Sequence, residues 1–112
     1  MKLQAARNVA NQTRDLYSGL IRLHVLHHAC HEPVFGLWMI EELARHGYRI
    51  SAGTLYPLLS KMEQKGLLRS SREHVNGKFR RLYRATPAGR AALRTAKERV
   101  KELFGELFED AP

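Results

Sequence analysis

The chain has 112 residues, enough for one domain with a modest core, and carries 19 Lys and Arg against 11 Asp and Glu, a net charge of +8. A single cysteine, Cys30, excludes an internal disulfide and fits a reducing compartment. The longest apolar run, Val34 to Ile40, is far shorter than the ~20 residues of a membrane span, and Met1-Lys2-Leu3-Gln4 leads into polar sequence without a signal core, so no membrane partner and a cytoplasmic location are expected.

No repeat or linker divides the chain, which reads as a single domain over residues 1–112. Leu3 to Asn11 has the pattern of a short helical arm. From Arg14 to His31, Leu16, Leu20, Leu23, Leu26 and Cys30 follow helical spacing. Glu32-Pro33 ends that helix, because the residue before proline is pushed out of the α region. A second helix is expected from about Phe35 to His46, with Leu37, Ile40, Leu43 and Ala44 inward and Gly47 as its cap. Trp38 falls opposite that inner face, among Glu41, Glu42 and Arg45, where an outward Trp marks either a ligand pocket or an interface, or is covered by another element.

Ser51 is the N-cap of a third helix whose buried stripe is Leu55, Leu58, Leu59 and Met62, and which Gly66 stops. Pro57 removes one helical hydrogen bond, to Gly53, close to the helix start where the cost is lowest. Leu67 to Val75 and Phe79 to Ala85 read as two strands, with Asn76-Gly77 supplying the positive φ angles of a type I′ hairpin. Thr86 then caps a last helix with Pro87 at its first position, running to about Glu109.

Charge is concentrated in the middle of this order. Between Ser51 and Leu93 lie nine basic residues and two acids, Glu63 and Glu73, so this stretch holds +7 of the +8. The outward face of the third helix carries Gly53, Tyr56, Pro57, Ser60, Lys61 and Gln64. It is short-chained and free of acid, so it can lie against DNA without repulsion. Hydroxyls and Gln can reach base edges, Lys61 can pair with phosphate, and Tyr56 can contact a sugar or a thymine methyl. The hairpin tip, His74 to Arg81, is too charged for packing to explain. Charged edges that resist aggregation usually mix signs, and this one hardly does. A helix followed by a basic hairpin is the layout of a winged helix, with the helix in the major groove and the hairpin along the phosphates. The expected DNA contacts are Ser51, Thr54, Tyr56, Pro57, Ser60, Lys61 and Gln64 on the helix, and Lys78, Arg80 and Arg81 on the hairpin.

Gly53-Thr54-Leu55-Tyr56, Leu59, Met62-Glu63, Gly66-Leu67-Leu68 and Tyr83-Arg84-Ala85-Thr86-Pro87-Ala88-Gly89-Arg90 with Leu93 resemble the signature of PadR-family transcriptional regulators. The resemblance spans the first helix through the start of the last. It implies a dimeric winged-helix repressor of the subfamily with one long C-terminal helix. The expected fold is therefore mainly α with a small two-stranded β-wing: a winged helix-turn-helix over residues 14–86 and a dimerisation helix over residues 87–109. One departure is visible. The family usually reads Pro-x-His-Gly-Tyr where this chain has Pro33-Val34-Phe35-Gly36-Leu37, so contacts made there by the usual His and Tyr do not carry over.

In the last helix Leu93, Ala96, Val100, Leu103 and Leu107 recur in steps of 3 and 4 residues, with Phe104 and Phe108 beside them. That seam suits a partner helix as well as the chain's own first helix, and both contacts are expected. The first helix holds His24, His28 and His31 on one side, near Tyr17, and His-x-x-x-His spacing suits zinc or another transition metal, with Glu32 or a partner-chain residue completing the site. A polar stripe has the same pattern. No cofactor is required by the sequence, and no phosphate loop, activated nucleophile or acid pair marks an enzyme. The reading is a homodimeric DNA-binding repressor on a palindromic operator, with a small-molecule or metal effector. The alternatives are a metal-responsive regulator of the same fold and a winged-helix module whose basic face meets an acidic protein.

Overall fold

In the computed structural model the backbone of residues 2–109 and the side chains of residues 15–109 are described. Helix α1 runs Lys2–His31, so the expected arm and first helix are one continuous helix; the side chains of the arm lie outside the described residues. After Pro33, strand β1 (Val34–Phe35) leads into α2 (Gly36–Arg45) and α3 (Ala52–Gln64). Strands β2 (Leu68–Val75) and β3 (Lys78–Ala85) form the hairpin, and α4 (Pro87–Phe104) ends in a wider π-helical turn, Gly105–Glu109.

The punctuation follows from local chemistry. Gly47 and Gly66 both sit at positive φ just past a helix, where Tyr48 N–H donates to the Leu43 carbonyl and Leu67 N–H to the Met62 carbonyl. At the hairpin tip Asn76 and Gly77 take φ of 51° and 78°, as a type I′ turn demands. Thr86 accepts from Gly89 N–H at 2.9 Å, and its own hydroxyl donates to the Gly66 carbonyl. One side chain thus caps α4 and ties it to the end of α3.

The sheet has three strands, not the two expected. Val34 and Phe35 pair antiparallel with Tyr83 and Leu82, giving the order β1-β3-β2. A two-residue strand carries no alternation to read.

The core is built from Ile21, Val25, Leu26 and Ala29 of α1, Val34, Met39 and Leu43, Leu55, Leu59 and Met62 of α3, and Leu68 and Tyr83 of the sheet. Leu26 and Cys30 of the expected α1 spacing, and Ile40, Leu43 and Ala44 of the expected α2 face, are buried or half-buried, and the other positions are corrected. On α1, Leu16 and Leu20 are exposed and Leu23 is half-buried, while the stripe about one residue further on is covered. On α2, Met39 and Gly36 are buried with Leu43, and Leu37 is 57% exposed. Both helices carry two adjacent apolar stripes, and only the positions of their neighbours decide which one is covered. The expected stripe of α3 is borne out, with Leu55, Leu59 and Met62 buried and Leu58 half-buried. No helix among the described residues is long and apolar enough to cross a membrane.

Candidate nucleic-acid interface

Helix α3 presents Gly53, Pro57, Ser60 and Gln64 along its exposed ridge, with Tyr56 on the flank beside the hairpin and Thr54 and Lys61 on the flank beside α1. Its start is open. Ser51 has extended backbone, and its carbonyl accepts from Leu55 N–H at 2.9 Å. Its hydroxyl makes no cap to the helix backbone but donates to Thr54 Oγ1 at 3.4 Å, leaving two exposed hydroxyls at the N-terminus and no acid in the first turn. Unpaired N–H groups there make that end favourable for an anion.

Tyr56 is set by its surroundings. Gly36, the first residue of α2, faces the Tyr56 ring, and a Cβ on residue 36 would lie 2.6 Å from the phenol oxygen. Tyr56, Phe35, Gly36, Leu37, Phe79, Arg80 and Arg81 enclose a cleft of about 310 Å³ between α3 and the hairpin. Leu37 and Phe79 are largely exposed there. Neither was an expected contact; an exposed apolar residue on an otherwise charged strand was the available signal for Phe79.

The strand register sorts the hairpin's charges. Arg81 pairs with Arg72 and shares the face of Tyr83, toward α3, whereas Lys78 and Arg80 lie on the opposite face with Leu82. Arg81 donates to Ser70 Oγ at 3.1 Å, and Ser70 in turn donates through both its hydroxyl and its backbone N–H to the Glu63 carboxylate. Glu63 therefore anchors the hairpin to the end of α3 and orients Arg81 without pairing with it directly. Arg72 lies 4.5 Å from the Phe79 ring centre. Arg84 pairs with Glu73, and Arg90 donates to the Cys30 carbonyl, so these two serve the fold. Among the described residues no carboxylate bridges Lys61, Lys78, Arg80 or Arg81.

Away from this face, α4 lies against α1. Leu93 and Ala96 are half-buried there, whereas Val100, Leu103, Phe104 and Leu107 are 46–62% exposed. Leu93, Ala96, Val100 and Phe104 border an apolar groove of about 490 Å³ with Leu20 and Leu23 of α1. Phe108 meets Phe104 with ring centres 5.0 Å apart and planes tilted by 49°, also in the open.

The histidines divide. His24 and His28 meet His46, at the C-terminal end of α2, and the ligand atoms of the three lie within 4.8 Å of one another. His31 is apart, its Nδ1 3.2 Å from the His27 carbonyl. Glu42, rather than Glu32, is the carboxylate beside the rings, 3.1 Å from His46 and 3.5 Å from His28. Burial, then neighbouring imidazoles, holds His24 below its ordinary pKa; burial does the same for His28, against the pull of Glu42. Trp38 is half-buried, its ring meeting His28 edge-on at 5.3 Å, so it is covered by α1.

Comparison with known proteins places this arrangement. The model of the PadR-like family of transcriptional regulators matches residues 25–95, from the first core helix into α4. The chain belongs to the PadR-like family. It is 51% identical over 95 residues to the Mycobacterium tuberculosis protein named transcriptional regulator Rv3488, covering 85% of this chain and 89% of that one. The crystal structure of a PadR family transcriptional regulator from Eggerthella lenta matches with a TM-score of 0.76 at 32% identity, over 97% of this chain and 99% of that one. A PadR-like transcription factor from Bacteroides fragilis matches with a TM-score of 0.73 at 27% identity, over 89% and 95%. The protein is therefore a DNA-binding transcriptional regulator of winged-helix fold and not an enzyme, and double-stranded DNA is its partner.

Proposed function

We propose that this PadR-like protein acts as a homodimeric repressor on a palindromic operator, with α3 in the major groove and the β2–β3 hairpin along the phosphates. The observation that carries the reading is the pairing of an acid-free, exposed ridge on α3 with Lys78, Arg80 and Arg81, none of them bridged to a carboxylate among the described residues. The cations supply position and affinity, and the short polar side chains of the ridge reach base edges.

Dimerisation rests on the apolar strip shared by α1 and α4. Leu20, Val100, Leu103, Phe104 and Leu107 form an exposed band too apolar to remain open to water in a small regulator. A second copy supplies the matching band by two-fold symmetry, and that symmetry makes the operator palindromic. Repression follows from occlusion, since a dimer seated on a promoter excludes polymerase from the same groove.

Selection of bound duplexes from a randomised pool tests this reading, followed by transcription from a promoter carrying the selected site. Inverted half-sites roughly one or two helical turns apart, and reduced transcription, are expected. A single half-site or direct repeats would contradict the symmetric dimer, and raised transcription would contradict repression.

A further inference from the structure

We infer that His24, His28 and His46, with the Glu42 carboxylate, form a binding site for one divalent transition-metal ion of the zinc class, joining α1 to the end of α2. The inference is independent of the DNA reading and differs from the set that helix spacing alone suggests, because His46 takes the place of His31.

The geometry carries it. His24 and His28 are one helical turn apart on α1, and His46 is brought over them from the C-terminal end of α2, its ring stacked on that of His24 at 4.7 Å and 30°. The three offer ligand atoms within 4.8 Å of one another. Zinc bonds of about 2.0–2.1 Å at a tetrahedral angle place neighbouring ligand atoms about 3.3 Å apart. Glu42 Oε2 already stands at that spacing, 3.1 Å from His46 Nε2 and 3.5 Å from His28 Nε2. The His24 ligand atom lies within 4.8 Å of the other two, so side-chain rotation would have to close the remaining gap. The other carboxylate oxygen keeps its contact with Arg45 at 3.6 Å.

Metal entry requires a change of tautomer and no net loss of protons from neutral rings. His28 and His46 each set Nε2 toward the Glu42 carboxylate, and to bind an ion there each ring would carry its proton on Nδ1 and offer its Nε2 lone pair. Tyr48, 5.3 Å from the His24 ring, and Trp38 against His28 wall the site on the protein side and limit competing water. The exposed edge of His46 leaves an entry path. Three imidazoles and a carboxylate, with no thiolate, suit zinc, cobalt or nickel over soft cuprous ion. His31 is held by the His27 carbonyl of its own helix and takes no part.

Titration calorimetry of the metal-stripped full-length protein with zinc sulfate tests the site, with cobalt absorption as a second readout. One ion per chain should bind, and cobalt should give the intense visible bands of a tetrahedral centre. His46→Gln, which keeps the side chain's size and sits at an exposed helix end, should bind at least about 100-fold more weakly and lose those bands. Glu42→Gln, which removes a charged ligand, should bind more than about 10-fold more weakly, and His31→Ala should match the wild type. Circular dichroism confirms that each variant is folded. Absence of saturable binding by the wild type, wild-type affinity in His46→Gln, or loss of binding in His31→Ala would each overturn the inference.

Discussion

Gly36 and Tyr56 fit against each other across the junction of α2 and α3: the space a Cβ on residue 36 would fill is taken by the Tyr56 ring, 2.6–2.7 Å away. The contact sets where the tyrosine points, so the first residue of α2 controls an aromatic side chain on the hairpin-side flank of the helix proposed to read DNA. Gly36→Ala should displace the far end of a side chain rather than backbone. A small stability change is expected, at most about 1–3 kcal/mol for local overpacking, with reduced discrimination between specific and random duplex. Denaturant unfolding and paired DNA titrations check it. Undiminished discrimination would mean that Tyr56 orientation does not matter for reading.

Gly89 presents the opposite case. A Cβ there would run into the backbone carbonyl of Leu67 and come 3.2 Å from Leu26 Cδ1, and the backbone cannot step aside as a ring can. Gly89→Ala should therefore cost about 2 kcal/mol or more, in spite of the ~1 kcal/mol that alanine contributes inside a helix. A lower urea midpoint is expected; an unchanged or raised midpoint would contradict the packing described for the start of α4.

How much of this was legible in sequence differs from element to element. Asn76-Gly77, Thr86-Pro87 and Gly66 announce their turns and caps because each conformation admits few residue types, and the structure has them where expected. The stripe of α3 was legible because one face is apolar and the other is not. On α1 the sequence offers two apolar stripes side by side, one ending on the core and the other, through Leu20 and Leu23, on the groove with α4; helical periodicity cannot choose between them. Strand β1 was too short to register. Two of the three clustered histidines could be paired by spacing along one helix, but His46 comes from another, and only the packing of α2 on α1 brings it there. The Glu63–Ser70–Arg81 chain likewise depends on the hairpin folding back on α3.

The assembly prediction targets the exposed end of α4. Leu103 and Phe104 are each 49% exposed in the single chain. Leu103→Asp with Phe104→Ser should place a charge and a hydroxyl inside the proposed dimer seam, where unpaired burial costs several kcal/mol, of order 2–7. Sedimentation should show monomer or loss of folded protein. An unchanged dimer would place the interface elsewhere.

Acid should weaken the fold through the histidines. His24, His27 and His28 lie below the ordinary value of 6.5 in the folded chain, chiefly through burial. Between 6.5 and the lower folded values the unfolded chain therefore binds more protons, so stability is full above that window and falls as pH drops through it. Melting temperatures measured in chelator should decline as pH falls below about 6.5, and His24→Gln with His28→Gln should flatten that decline. An equally steep decline in the double variant would assign it to other groups.

The division of labour between hairpin and helix is the centre of this account, and competition titrations with specific and random duplex across a salt series test it most directly. A dimer neutralising about six phosphates should show a log–log salt slope near −5, from ~0.9 counterions released per contact. Arg80→Ala with Arg81→Ala should weaken both duplexes alike and flatten that slope by up to about 3.5 for the four arginines of a dimer. Gln64→Ala should instead narrow the gap between specific and random DNA, by about 1–3 kcal/mol for a lost base contact, and leave the slope alone. A flat salt response in the wild type, or arginine variants that lose only specificity, would contradict it.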